Sequence, residues 1–248
     1  MAVNKDSNIY TIVFAIILVV IVGGLLAFIS TSLKPMQEEN LKNEKKQYIL
    51  NCLPGLKGIA RNDAGGVFSK YVKERIILDF NSSIVENSNK KGEIDSKDLL
   101  DAFNIDLLKE SKTIADISKR NYPLFICEVD GKKYYVAPLM GKGLWAAVWG
   151  YISLDSEGTI IEGAVFDHKS ETPGLGAEIT QDFFEDQFIG KSIDENGEYS
   201  KIEVKKPGNE LNSHQVDGIS GGTFTSVGIE DMMTDALEVY YNYIRNNK

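Results

Sequence analysis

Between Ile9 and Ile29 the chain carries no charged side chain and consists mainly of Ile, Val, Leu, Ala and Phe. Roughly twenty such residues are what an α-helix needs to cross about 30 Å of hydrocarbon. Gly23 and Gly24 do not oppose this, because glycine is common in membrane helices. A cleaved signal peptide has a shorter apolar core, about 7–15 residues, and a small-x-small exit. Here the run leads into Ser30-Thr31-Ser32-Leu33-Lys34-Pro35 with no such exit. The expectation is an uncleaved, single-pass anchor over 9–29, preceded by a short tail over 1–8. Charge leaves its orientation open. Lys34, Lys42, Lys45 and Lys46 follow the run and Lys5 precedes it, which on the positive-inside rule puts the following domain in the cytoplasm. Long domains, however, translocate largely regardless of charge.

The remainder of the 248 residues is enough for one or two packed domains. Lys and Arg number 27 against 36 Asp and Glu, a formal net charge of −9. A chain this acidic repels polyphosphate, which argues against a nucleic-acid partner. Cys52 and Cys127 are far apart and cannot build an iron–sulfur or zinc site by themselves. A single disulfide and two buried thiols both remain open. His168 and His214 give no helical metal pair, so no metal site is expected.

After the anchor, Pro35 suits the first turn of a polar juxtamembrane helix over Gln37 to Leu50, which Cys52-Leu53-Pro54-Gly55 stops. Phe80 to Lys97 is rich in Asn, Ser and Lys and reads as a loop, with a helical pattern at Leu99 to Leu108. Two hairpins follow. Leu124–Val129 and Lys133–Ala137 flank Asp130-Gly131, and Trp145–Leu154 and Thr159–Phe166 flank Asp155-Ser156-Glu157-Gly158. After Thr225, the residues Val227, Met232, Met233, Ala236, Leu237, Tyr240, Tyr241 and Ile244 recur at helical spacing and predict a terminal amphipathic helix on the sheet. Antiparallel strands followed by a helix make the expected class α+β.

Two loops carry chemistry. In His214 to Ser226, three glycines and four hydroxyl residues precede the terminal helix. Gly221 and Gly222 let backbone approach a ligand closely, and a helix start offers N–H groups to an anion, so phosphate is the natural guest. The plainer alternative is a turn with an N-cap from Thr225 or Ser226. No Lys follows the glycines as in a Walker loop, and no βαβ unit follows as in a Rossmann fold. The second loop, His168-Lys169-Ser170-Glu171-Thr172-Pro173-Gly174-Leu175-Gly176, follows a strand, and Pro173-Gly174 is a turn signal.

Both loops resemble signatures of one FMN-binding domain family. Asp217-Gly218-Ile219-Ser220-Gly221-Gly222-Thr223 is similar to the D-x-x-S/T-G-A-T/S sequence that a flavin transferase modifies, with Gly222 where Ala is usual. The resemblance implies covalent FMN, held by a phosphoester on Thr223, with Asp217, Ser220, Gly221 and Thr223 recognised by the transferase. Thr225 lies two positions beyond the matching hydroxyl. The segment from His168 resembles H-x-x-E-T-P-G-L-G, and Gly141-Lys142-Gly143-Leu144-Trp145 resembles G-x-G-L-W. These imply Leu144, Trp145, Glu171, Thr172, Gly174 and Leu175 around the flavin, with Ser220, Gly221 and Gly222 at its phosphate end. A short V-K match adds Lys205 as a phosphate or flavin contact.

The order of these motifs, with Leu33-Lys34-Pro35-Met36-Gln37 near the anchor, resembles the NqrC family of sodium-translocating NADH:quinone reductases. The corresponding FMN-bearing member of the Rnf complex is the related alternative, and an anchored sensor module that only binds FMN or phosphate is the other. The implied architecture is an anchor at 9–29, a juxtamembrane and N-terminal part at 30–120, and an FMN-binding domain at 121–248. The implied function is electron relay between neighbouring subunits of a bacterial inner-membrane complex, with the soluble domain on the periplasmic side. NADH oxidation and quinone reduction would belong to other subunits, so no residue of this chain is expected to act as a catalytic acid, base or nucleophile.

Overall fold

A computed structural model describes residues 8–208 and 210–247. The chain divides into two compact units, Met1–Lys45 and Lys46–Lys248.

Helix α1, Asn8–Asn51, contains the whole apolar run, and one window of it reaches a mean hydropathy of 3.3 with none of that window buried. By length and composition it suffices to cross a membrane. Pro35 lies inside it. The expected separate helix over Gln37 to Leu50 is therefore the second part of α1. Proline removes one hydrogen bond from a helix, but stopping and renucleating would forfeit several, and no glycine or turn residue adjoins it to favour a stop.

In the second unit, the end of α1 contributes the buried Ile49 and Leu50 and is followed by Cys52 and Leu53, also buried. Next come α2, Arg61–Tyr71, and β1, Val72–Leu78, neither of which the hydropathy pattern had indicated. The segment 80–97 is loop, as expected, joined to β1 through bridges at Arg75–Lys90 and Leu78–Ile84. The helical pattern at Leu99 to Leu108 resolves instead into a 3-10 turn at Ala102–Asn104 and α3, Leu107–Thr113. The reason is local: Asp101 and Asp106 each accept a backbone N–H as an N-cap, at Phe103 and Lys109, splitting the segment in two.

The sheet follows as β2, Tyr122–Val129; β3, Lys132–Lys142; β4, Ala147–Leu154; and β5, Ile161–His168. Its five strands lie in chain order, β1-β2-β3-β4-β5, every pair antiparallel. Asp130 and Gly131 both have positive φ, the mirror-image turn that matches strand twist. β3 runs further than the Lys133–Ala137 expected, straight through Pro138. That proline breaks no ladder, since the pairing of β3 with β2 ends at Val136 and only β4 flanks it beyond. Trp145, expected in the second hairpin's first strand, lies in the turn before β4.

Alternation along the strands supplies two cores, one on each face. Leu124, Tyr135, Ala137, Leu139 and Ile152 point into the larger one, with the terminal helix. Phe125, Cys127, Tyr134, Val136 and Tyr151 point into the other, with Ile49, Leu53 and Phe68. Cys52 and Cys127 share this second core as free, buried thiols. Burial pushes both thiols well above their ordinary range.

Beyond β5 lie a 3-10 turn at Gly176–Thr180, a short α4 at Asp182–Glu185 and the small β6–β7 pair at Asp194–Glu195 and Glu198–Tyr199. β8, Glu203–Lys205, then pairs in parallel with β9, Gln215–Asp217. Helix α5, Thr223–Asn246, closes the larger core with Ile229, Met232, Met233, Leu237, Tyr240 and Ile244. Fully burying a side chain of that size contributes roughly 1.5–3 kcal/mol. Val227 departs from the expected stripe and is 43% exposed, on the outer side of the helix. The architecture is α+β: an apolar N-terminal helix, an antiparallel sheet and a C-terminal helix.

Candidate functional site

Three chain segments converge where α5 begins. The first is the turn from β3 to β4. Gly143 N donates to Ala146 O at 2.8 Å, so the turn is tight, and Leu144 and Trp145 project outward at 49% and 68% exposure. Just before the turn β3 packs closely on α5: a Cβ on Gly141 would lie 2.7 Å from Met232 Cβ.

The second segment leaves β5 at His168. Thr172 O accepts the N–H groups of Leu175 and Ala177, both at 3.1 Å, and Gly174 has φ +75°. Only a residue free to adopt positive φ turns the chain there at little cost. Leu175 is left 42% exposed.

The third runs from β9 into α5. Gly222 N donates to Ile219 O at 2.9 Å across a turn whose Gly221 has φ +76°. Gly222 is the N-cap residue and makes no side-chain cap. A cap from Thr225 or Ser226 is not what the structure has. Thr225 is buried and donates to Glu171 Oε2 at 2.6 Å, while Ser226 Oγ accepts Ile219 N at 2.9 Å. Helix starts leave their first N–H groups without intrahelical partners, so the exposed Thr223 hydroxyl sits at a place suited to an anion.

The segments enclose two neighbouring clefts. Leu144, Glu171, Thr172, Leu175, Gly221 and Gly222 line one, together with Gly176, Phe224 and Thr225. Lys205 and Thr223 line the other with Val204, Lys206, Gly218 and Ser226. Eight of the twelve sequence-derived site residues thus fall in two adjoining hollows. Trp145, Gly174, Ser220 and Asp217 line neither. Trp145 and Ser220 are exposed beside them, and Gly174 sits in its turn. Asp217 supports the loop from behind: its N–H donates to Gln187 Oε1 at 2.8 Å, and its carboxylate Oδ1 is buried with no hydrogen-bond partner among the described residues. Lys205 Nζ lies 2.7 Å from Glu203, a half-buried pair still open enough to solvent to be of small energetic value.

Glu171 is the most enclosed charged group here, 5% exposed. Burial opposes its ionisation, but the Thr225 hydroxyl and the backbone N–H groups of Trp145, Ala146 and Leu144 outweigh it and hold the carboxyl below its ordinary range. Residue pattern alone had not marked Phe224, which is 71% exposed beside the first cleft, nor Thr225 as the partner of Glu171. A large apolar side chain directly after the signature threonine was the available signal for Phe224.

These features fit a flavin. The first cleft has a glycine wall, where a Cβ on Gly221 would lie 2.7 Å from Leu175, and a rim of exposed Leu144, Leu175 and Phe224. Exposed apolar groups gathered around one hollow are the usual lining of a ring-binding site.

Comparison with known proteins agrees. The FMN-binding domain family matches residues 143–238. A crystal structure of the NqrC component of Na(+)-translocating NADH-quinone reductase from Parabacteroides distasonis superimposes with a TM-score of 0.73 at 36% identity, covering 86% of this chain and 96% of that one. This chain belongs to the NqrC family of Na(+)-translocating NADH-quinone reductases. The NqrC protein of Neisseria meningitidis is 27% identical over 230 residues, 92% of this chain and 88% of the relative. The fold is also that of NqrC from Shewanella oneidensis, with a TM-score of 0.63 at 22% identity, covering 83% of this chain and 98% of that one. All residues lining the two clefts lie inside the matched FMN-binding region, 143–238.

Proposed function

We propose that this chain is an electron-transfer subunit of a Na(+)-translocating NADH:quinone reductase and carries FMN through a phosphoester on Thr223. The observation that carries the reading is the contrast between its two candidate hydroxyls. Thr223 is exposed at the mouth of α5, in the lining of the second cleft, whereas Thr225 is buried and already bonded to Glu171. A transferase can reach the first and not the second.

In this reading Leu144, Leu175 and Phe224 cover the ring, with Trp145 at its edge and Glu171, Thr172 and Gly174 framing it. Ser220, Gly221, Gly222 and Lys205 surround the phosphate, and Asp217 holds the loop for the flavin transferase. Bound FMN supplies one-electron redox chemistry, while the protein supplies position, a low-dielectric surround and permanent retention. No side chain of the chain acts as acid, base or nucleophile in turnover. Residues 9–29 span the bacterial inner membrane once, 30–120 lead into the soluble part, and 121–248 form the FMN-binding domain on the periplasmic side. The partners are the other subunits of the complex.

The test is intact mass of the membrane-extracted chain made together with an active flavin transferase. One FMN adduct is expected, lost in Thr223→Val and kept in Thr225→Val. An adduct that survives Thr223→Val overturns the site, and a wild-type chain at bare polypeptide mass overturns the function. The Rnf-type alternative is separated by the subunits that co-purify.

A further inference from the structure

Glu171 ties together three segments that the sequence keeps far apart. Its Oε1 accepts the backbone N–H of Trp145 at 3.0 Å and of Ala146 at 3.2 Å, and its Oε2 accepts the Thr225 hydroxyl at 2.6 Å. Its own N–H donates to His168 Nδ1 at 3.1 Å, which fixes the loop leaving β5. Glycines make room for the carboxylate on two sides. A Cβ on Gly143 would lie 2.6 Å from Oε1, and one on Gly176 would lie 2.8 Å from Oε2. All the donors on the carboxylate are neutral. Dipoles of this kind stabilise an anion without cancelling its net charge, so the charge acts on whatever fills the cleft that Glu171 lines.

We propose that Glu171 is a positioning residue with an electrostatic task, pinning the Leu144–Trp145 turn to the start of α5 and setting one fixed negative charge beside the flavin. This rests on the FMN reading of the cleft. Adding an electron to a ring next to a fixed anion is disfavoured, and at the dielectric of a partly buried site one unit charge a few ångströms away shifts such an equilibrium by a factor of about ten or more. Glu171 thus holds the flavin at a lower potential than the same apolar cleft would without it. Thr225 serves as the hydroxyl that keeps this carboxylate aimed.

Two readouts test the two halves on the full chain. Glu171→Gln keeps the shape and the acceptor for Trp145 and Ala146 but removes the charge. In flavinylated protein equilibrated with a redox dye, it is expected to shift the ratio of oxidised to reduced flavin toward reduced by on the order of tenfold. An unchanged ratio overturns the electrostatic half. So does a Glu171→Gln protein that melts like wild type yet takes up no flavin. The pinning half is read without flavin, by amide hydrogen exchange. Trp145 and Ala146 should exchange faster in Glu171→Ala and stay protected in Glu171→Gln, and equal exchange in all three proteins overturns it. A wild-type chain that acquires no flavin refutes the FMN reading instead, while the exchange arm still decides the pin.

Discussion

Arg75 grips Asp101 with two prongs inside the protein, Nε 2.9 Å from Oδ1 and Nη2 2.7 Å from Oδ2, with both side chains at most 2% exposed. The remaining guanidinium donors reach Gly92 O at 2.9 Å and Glu93 O at 3.2 Å. One buried cation therefore organises the loop after β1, whose own large apolar side chains Phe80, Ile84, Leu99 and Leu100 are left exposed. Removing one partner leaves an uncompensated buried charge, at a cost of about 3–5 kcal/mol. Arg75→Ala and Asp101→Ala are each expected to lower stability by that amount in urea unfolding. Arg75→Met combined with Asp101→Leu should recover most of it.

Glu185 gives stability a specific pH dependence. Burial raises its carboxyl to about 7, against the opposing pull of the Phe166 N–H and Lys57. Its proton is held more tightly in the folded than in the unfolded chain. Its favourable contribution is thus complete below the ordinary value of 4.5 and is lost as pH rises to about 7. The loss amounts to at most about 3 kcal/mol. Unfolding free energies measured at pH 5 and pH 8 should differ in that direction, and Glu185→Gln should flatten the difference. A difference of the opposite sign in wild type that Glu185→Gln removes would contradict the assignment.

Two helical glycines should respond oppositely to alanine. A Cβ on Gly228 would collide with the Lys142 carbonyl, so Gly228→Ala must push α5 off β3 and is expected to cost about 1–3 kcal/mol. Gly66, within α2, has nothing within 4 Å of its missing Cβ. There the substitution should add about 0.5–1 kcal/mol, because alanine loses less backbone freedom on folding. Thermal melts of the two variants distinguish them.

Trp145 offers an optical test of the proposed flavin cleft. The chain has two tryptophans, and Trp149 lies half-buried on β4 while Trp145 is 68% exposed. In a Trp149→Phe background, acrylamide should quench Trp145 freely in flavin-free protein. Flavinylation should reduce that accessibility several-fold and dim the emission. Equal quenching with and without covalent flavin would place the ring elsewhere.

The elements that could be read in the sequence are those whose signal is local. Asp130-Gly131 marks its own hairpin, and the spacing of Met232, Leu237 and Ile244 marks one face of α5. β1 could not be read this way, because its centre is Arg75, and what makes an arginine acceptable there is Asp101, across a loop without pattern. β8 and β9 have three residues each, too few to establish a period, and their parallel pairing joins residues twelve positions apart. Pro35 misled for the opposite reason, since its local signal was real but outweighed by continuous helix on both sides. At the site, the motifs named the backbone that bends and the hydroxyl that is presented. They did not show that Thr225 turns inward to Glu171, because that bond spans 54 positions and depends on how two loops meet.

Thr223 is the first residue of the helix that seals the larger core, and the sealing side chains extend to Ile244. The presented geometry of the Thr223 hydroxyl therefore depends on the packing of side chains as far along α5 as Ile244. On the proposed reading of Thr223 as the flavin site, a transferase that requires a presented hydroxyl would load only chains whose α5 has docked, because an undocked α5 offers the signature as loose peptide.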